Sequence, residues 1–108
     1  MTDMLQYDLV LVNLAPAVGS EIQKTRPCVV ISPDEMNKNL RTVVIAPVTS
    51  SEKRYPTRIL IDQQQVKGMV ALDQIRTIDK QRILKTMGRI EWGSIKKVKE
   101  IIRETYVD

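Results

Sequence analysis

Two short, uninterrupted apolar runs limit what this chain can fold into. "PCVVIS" covers residues 27–32 and "TVVIAPVTS" covers residues 42–50. Both are too short for a buried helix and rich in β-branched residues, so they read as strands covered on both faces. Around them the pattern is also that of strands. Residues 8–14 alternate and are β-branched. Residues 57–62 set Arg58 and Leu60 against Ile59 and Ile61. Residues 69–78 hold one or two further strands after a turn at 63–68, and residues 85–90 a last short one. Helical signals occur twice. Ser32 as N-cap and Pro33 at the first helical position open a short helix over 33–39. Beyond Ser94, another N-cap candidate, Ile95, Val98, Ile101 and Ile102 share one helical face as far as about Tyr106. The fold class is therefore mostly β, or α+β: a small, strongly curved antiparallel sheet or SH3-like barrel with a C-terminal amphipathic helix. A chain of 108 residues suits a single domain, 1–108.

Composition removes several chemistries. There is no histidine, the usual general base near neutral pH, and a single cysteine, so no Cys/His zinc site can be built. Glycines are too scattered for a phosphate-cradling loop. The lone cysteine and the absence of a signal-like N-terminus or a membrane-length apolar stretch point to a cytoplasmic protein with no membrane association. Residues 1–50 carry four Lys/Arg against five Asp/Glu, whereas residues 51–108 carry thirteen against eight. That basic half suits either a polyanionic partner or a solvated helix surface.

Two polar loops, 15–26 and 50–56, interrupt the strands. Arg26 precedes Pro27, which biases it to extended backbone at a loop-to-strand boundary; its guanidinium there is either a phosphate fork or a surface charge paired with Glu21. Thr49 ends a strand, where a hydroxyl can bond a phosphate oxygen or cap a turn. Lys53 and Arg54 flank Tyr55, the aromatic best placed to stack on an unpaired base, while Trp92 reads as a packing residue. Asp73 and Asp79 lack the third acid of a magnesium site. With Arg76 they read as a structural network.

The segments "NLAPAVGSEIQKTRPCVVIS", "VVIAPVTS" and "DQIRTIDKQRI", in this order and spacing, resemble the MazF/PemK family of toxin endoribonucleases over almost the whole chain. The resemblance implies metal-independent cleavage of single-stranded RNA with no cofactor, a homodimer, and a cognate antitoxin whose extended tail occupies the RNA groove. It carries the family's catalytic arginine onto Arg26 and its threonine onto Thr49. The acids of the first loop and of the Asp-Gln block fall on Glu21 and Asp73. Ser20, Lys24, Ser50, Lys53, Arg54, Tyr55, Gln74 and Arg76 complete the implied RNA-contacting set. Departures from the family pattern are Gln6-Tyr7 for Arg-Gly before Asp8, Ile22-Gln23-Lys24 for Gln-Gly-Gly, and Ala71 and Ser20 where some members have arginine and histidine. Two alternatives use the same fold: a CcdB-like gyrase poison, and a catalytically silent member that binds nucleic acid or protein.

Overall fold

The computed structural model describes residues 4–16, 18–22, 24–51, 53–63 and 65–107. The readings that fall on Met1–Asp3, Ala17, Gln23, Glu52, Gln64 and Asp108 lie outside those residues. The chain runs β1 (Asp8–Asn13), β2 (Thr25–Val30), α1 (Asp34–Asn39), β3 (Thr42–Thr49), β4 (Arg58–Gln63), β5 (Val66–Ala71), β6 (Arg76–Asp79), β7 (Ile83–Arg89) and α2 (Trp92–Ile102). It is mostly β, with one strongly curved antiparallel sheet ordered β4-β5-β3-β2-β1-β7 and a C-terminal helix.

The central strands bury both faces, as their unbroken apolar runs require. On one face Leu9, Val29, Ala46 and Val48 join Ile59, Ile61, Val70 and Leu72 under Ile95 and Val98 of α2. On the other, Val10, Val12, Cys28, Val30, Val43 and Ile45 pack with Met4, Leu14 and Ile78. Successive side chains of a strand point to opposite faces, so each of these strands feeds both cores.

β3 divides one of its edges between two partners. Residues Thr42–Ile45 pair with Asp79–Arg76 of β6, whereas Val48 and Thr49 pair with Val70 and Met69 of β5. Pro47 falls in the gap between these two ladders, where its missing N–H costs least. The chain passing from β5 to β6, a 3-10 turn at Leu72–Gln74 followed by Ile75, occupies this split. Curvature thus delivers Asp73, Gln74 and Arg76 to the side of Pro47.

Five local expectations are corrected. β2 begins at Thr25, so Arg26 lies inside the strand opposite Val12 rather than at its mouth. The turn expected over 63–68 is tighter: β5 begins at Val66, and Gly68 sits within it opposite Ile61. The C-terminal helix starts at Trp92 with Glu91, not Ser94, at its N-cap. Trp92 itself is 69% exposed. With Ile95 and Val98 turned to the core, it falls beside Lys96, Lys99 and Arg103 on the outer side of the helix.

Ser32 is likewise no N-cap; Pro33 holds that position. Instead Ser32 and Asn37, both buried, form a polar lock beneath α1. The Ser32 hydroxyl donates to Asn37 Oδ1, Asn37 Nδ2 donates to the Ser32 carbonyl at 2.9 Å, and the Val44 N–H donates to Ser32 Oγ at 3.0 Å. Truncating one member strands the others in a dry environment, a loss of about 1–3 kcal/mol. Asn37→Ala should therefore lower the melting temperature by several degrees, whereas an unchanged melting curve would mean that the lock adds nothing.

Candidate active site

The first loop is closed by backbone and held by side chains from beyond β5. Its ends meet where the Leu14 N–H donates to the Lys24 carbonyl at 3.0 Å. Lys24 adopts φ +72° there, a left-handed conformation that glycine accepts more readily than lysine. Arg76 donates to the Leu14 carbonyl at 3.3 Å, Arg82 to the Ala15 carbonyl at 2.7 Å, and Gln74 Oε1 accepts the Ile22 N–H at 2.8 Å. Within the loop, Glu21 Oε1 accepts the Val18 N–H at 2.6 Å.

Anchored this way, the loop forms one wall of a cleft of about 480 Å³. Its lining includes Ser20, Glu21, Ile22, Pro47, Asp73, Gln74 and Arg76. Five of the expected site residues therefore meet in one place. Arg26 and Thr49 are not among its lining residues; Thr49 follows two positions after Pro47 on β3. The β2–β3 ladder pairs Val30 with Ile45, Val29 with Ala46 and Cys28 with Pro47. The ladder ends there; continued by two residues, the same register would set Arg26 opposite Thr49, on the face that carries Cys28 and Pro47. Arg26 is half-buried and Thr49 is 8% exposed, with its Oγ1 accepting the Ser51 N–H at 3.2 Å.

Gly68 fixes how closely β5 approaches this point. A Cβ there would lie 2.5 Å from the Thr49 carbonyl oxygen and 2.9 Å from Val48 Cγ1. Sequence alone put this glycine in a turn; its place is a close backbone approach.

Asp73 also has other company than expected. Its Oδ1 accepts from Thr57 Oγ1 and Arg58 Nε, both at 3.1 Å, and its Oδ2 from Arg58 Nη2 at 3.2 Å. Arg58 was legible only as an alternating strand residue. No short-range spacing signals its pairing with a carboxylate fifteen positions away. Burial pushes the Asp73 carboxyl up, but the Arg58, backbone and Thr57 hydrogen bonds and the Arg58 charge outweigh it and hold the group below the usual carboxylate range. The network expected of Asp73, Arg76 and Asp79 is resolved into separate tasks. Arg76 holds Leu14, and Asp79 accepts the Gln81 N–H at 2.8 Å.

Ser50, Arg54 and Tyr55 line two further clefts that share Leu60 and Met69 and lie apart from the first. Ser50 lines a small cleft with Ser51, Lys67 and Gly68. Arg54 and Tyr55 line another with Arg58, Leu60, Met69 and Lys97. Lys53 is exposed. The Arg58 guanidinium lies 4.7 Å from the centre of the Tyr55 ring, which stays 47% exposed. A separate cleft of about 630 Å³ between β4 and β7, lined by Asp62, Gln63, Thr86 and Arg89 among others, contains none of the expected residues.

Cys28 lies under this surface, wholly buried. Burial pushes its thiol up to about 12 against the opposing charge of Arg76, so it is a packing group at neutral pH. Among the described residues no group of three or more His, Cys, Asp or Glu side chains is arranged to hold a metal ion.

Residues 5–106 match the family described as "PemK-like, MazF-like toxin of type II toxin-antitoxin system". The chain belongs to this family. It is 35% identical over 104 residues to Endoribonuclease MazF of Staphylococcus saprophyticus, covering 91% of this chain and 84% of the relative. It is therefore an endoribonuclease homologue. The MazF-like fold is shared with a crystal structure of MazF from Deinococcus radiodurans, with TM-score 0.90 and 24% identity over the whole of both chains. An endoribonuclease from a Mycobacterial species, solved in complex with its cognate antitoxin, also superposes with TM-score 0.80 and 18% identity. That match covers 94% of this chain and 92% of that one.

Proposed function

We propose that this MazF-like chain is the toxin of a type II toxin–antitoxin pair and cleaves single-stranded RNA without a metal ion. RNA brings its own nucleophile. The 2′-oxygen attacks the adjacent phosphorus and its proton passes to a base. The bond to the 5′-oxygen breaks, and that oxygen takes up a proton. The products are a 2′,3′-cyclic phosphate and a 5′-hydroxyl. An enzyme for this step must align the 2′-oxygen with the leaving oxygen and stabilise charge on the phosphorane-like transition state. The observation that supports the reading is the β2–β3 register, which ends at Cys28 and the cleft-lining Pro47 and, continued by two residues, would bring Arg26 opposite Thr49. A guanidinium offers paired donors to two phosphate oxygens, and the threonine hydroxyl a third contact. Cleavage of single-stranded RNA in the presence of a chelator, with the product ends analysed, tests the proposal.

Ser20, Gln74 and Arg76 in the cleft, with Lys24 at the loop's end and Ser50, Lys53, Arg54 and Tyr55 beyond Thr49, form the path of the strand. Pairing two copies into a homodimer would lengthen that path. An extended antitoxin tail would compete for it. The reaction belongs in the cytoplasm, where mRNA is; no described helix is long and apolar enough to cross a membrane.

Lys53 and Arg54 are exposed, so their charges act on phosphates that position the strand without reading its sequence. Replacing both by alanine should weaken RNA binding and reduce the slope of log affinity against log salt by about 0.7 per lost phosphate contact, leaving the preferred motif unchanged. A salt titration with single-stranded RNA checks this. An unaltered slope would place the strand elsewhere.

A further inference from the structure

The Arg58–Asp73 ion pair stands at the boundary between two clefts. Asp73 faces the one shared by Ser20, Glu21, Gln74 and Arg76, while Arg58 lines the other with Arg54, Tyr55 and Lys97. Both oxygens of Asp73 are engaged by Arg58, and Oδ1 by Thr57 as well. The backbone doubles the join: the Leu72 N–H donates to the Thr57 carbonyl and the Arg58 N–H to the Tyr55 carbonyl, both at 3.0 Å. From the far side, the Tyr106 hydroxyl donates to the Leu72 carbonyl at 2.5 Å. The end of the second loop is thus stitched to the Asp-Gln turn, and Arg58 covers one face of the Tyr55 ring while the ring remains half-exposed.

We propose that Asp73 is a positioning residue, which fixes Arg58 and through it the Tyr55 ring as a preset stacking platform for a nucleotide flanking the scissile phosphate. The proposal rests on the RNA-cleavage reading above, and it removes Asp73 from the proton-transfer steps. Protonating this carboxylate would break a two-point contact with a guanidinium whose side chain is only 11% exposed. A group so held is a poor relay for protons and a good anchor. A platform already in place spares the strand the ordering of Tyr55 on binding, so its loss is read in affinity rather than in turnover.

The test compares Asp73→Asn, Arg58→Ala and their double variant on one short RNA substrate. A copy carrying a 2′-O-methyl group at the scissile position measures binding alone. Each single variant should raise KM, and the Kd of the uncleavable RNA, by about five- to hundredfold, the range set by losing one stacked base. Turnover and the pH profile of kcat should keep their wild-type form. The double variant should be no worse than the weaker single, because both act through one contact. Thr57→Val, a gentler change, should raise Kd in the same direction with an unchanged melting temperature. The proposal is overturned if Asp73→Asn collapses kcat or removes a limb of the pH profile while Arg58→Ala does neither. Additive effects, or an unchanged Kd in all variants, overturn it equally. Failure of the cleavage reading would look different: the wild-type protein would leave RNA intact, or Arg26→Ala would turn over normally, while the uncleavable RNA still reports on the platform.

Discussion

Replacing Arg26 by alanine is expected to lower kcat for RNA cleavage by about 10²–10³, the loss typical of removing one donor to a developing oxyanion. The expectation follows from position. Arg26 sits within β2 opposite Val12, so its backbone is held by the sheet while the side chain stands two residues beyond the last β2–β3 pair. It is half-buried, and the two cores do not include it. The variant should fold, and its melting temperature should stay near that of the wild type. Thr49→Ala should fall in the same direction for the same reason. Single-turnover kinetics at saturating RNA separate loss of chemistry from loss of binding. An Arg26→Ala protein with wild-type kcat would remove the electrostatic mechanism.

The second large effect concerns stability. Leu72 is fully buried on the α2 side of the sheet, and its backbone joins the Thr57 carbonyl and the Tyr106 hydroxyl. Leu72→Ala leaves a cavity at the split in β3's partners, at a cost of about 2–5 kcal/mol. That is a large share of the roughly 5–15 kcal/mol that a small domain has in total. Urea denaturation should show a lower midpoint with a similar slope. Asp73 and Gln74 follow directly, so residual activity should fall too. A midpoint within error of the wild type would mean that the site is not built on this core.

The strands were legible where burial on both faces leaves a continuous apolar run, as in β2 and β3, or where alternation marks a half-exposed strand, as in β4. What the sequence obscured was set by partners distant along the chain. Pro27 looked like the start of β2, yet it lies beyond the last β2–β3 pair, where a strand tolerates proline, and Thr25 and Arg26 extend the ladder with β1. Gly68 resembled a turn residue because close approach to Thr49 leaves no mark in local spacing. Trp92 resembled a core residue because its size outweighs its register only in a reading by composition. At the site, the segments 20–21 and 73–76 do converge beside Pro47 of β3, while Arg26 and Thr49 do not line that cleft. Arg58 was missed as a partner of Asp73, and Arg82 as the staple of the first loop. The first follows from the β4–β5 register, which sets Arg58 opposite Ala71, and the second from the β1–β7 pairing, which sets Ile83 opposite Val12; neither register is written in local spacing.

The central claim is that RNA is cut by attack of its own 2′-hydroxyl, with Arg26 and Thr49 stabilising charge at the phosphate. It is tested most directly by incubating the protein with a single-stranded RNA in EDTA and identifying both new ends. The account predicts full activity in the chelator, a 2′,3′-cyclic phosphate on one fragment and a 5′-hydroxyl on the other, and no cleavage when the scissile ribose is 2′-deoxy. Cleavage that stops in EDTA and returns with magnesium, or products ending in a 5′-phosphate, would contradict it.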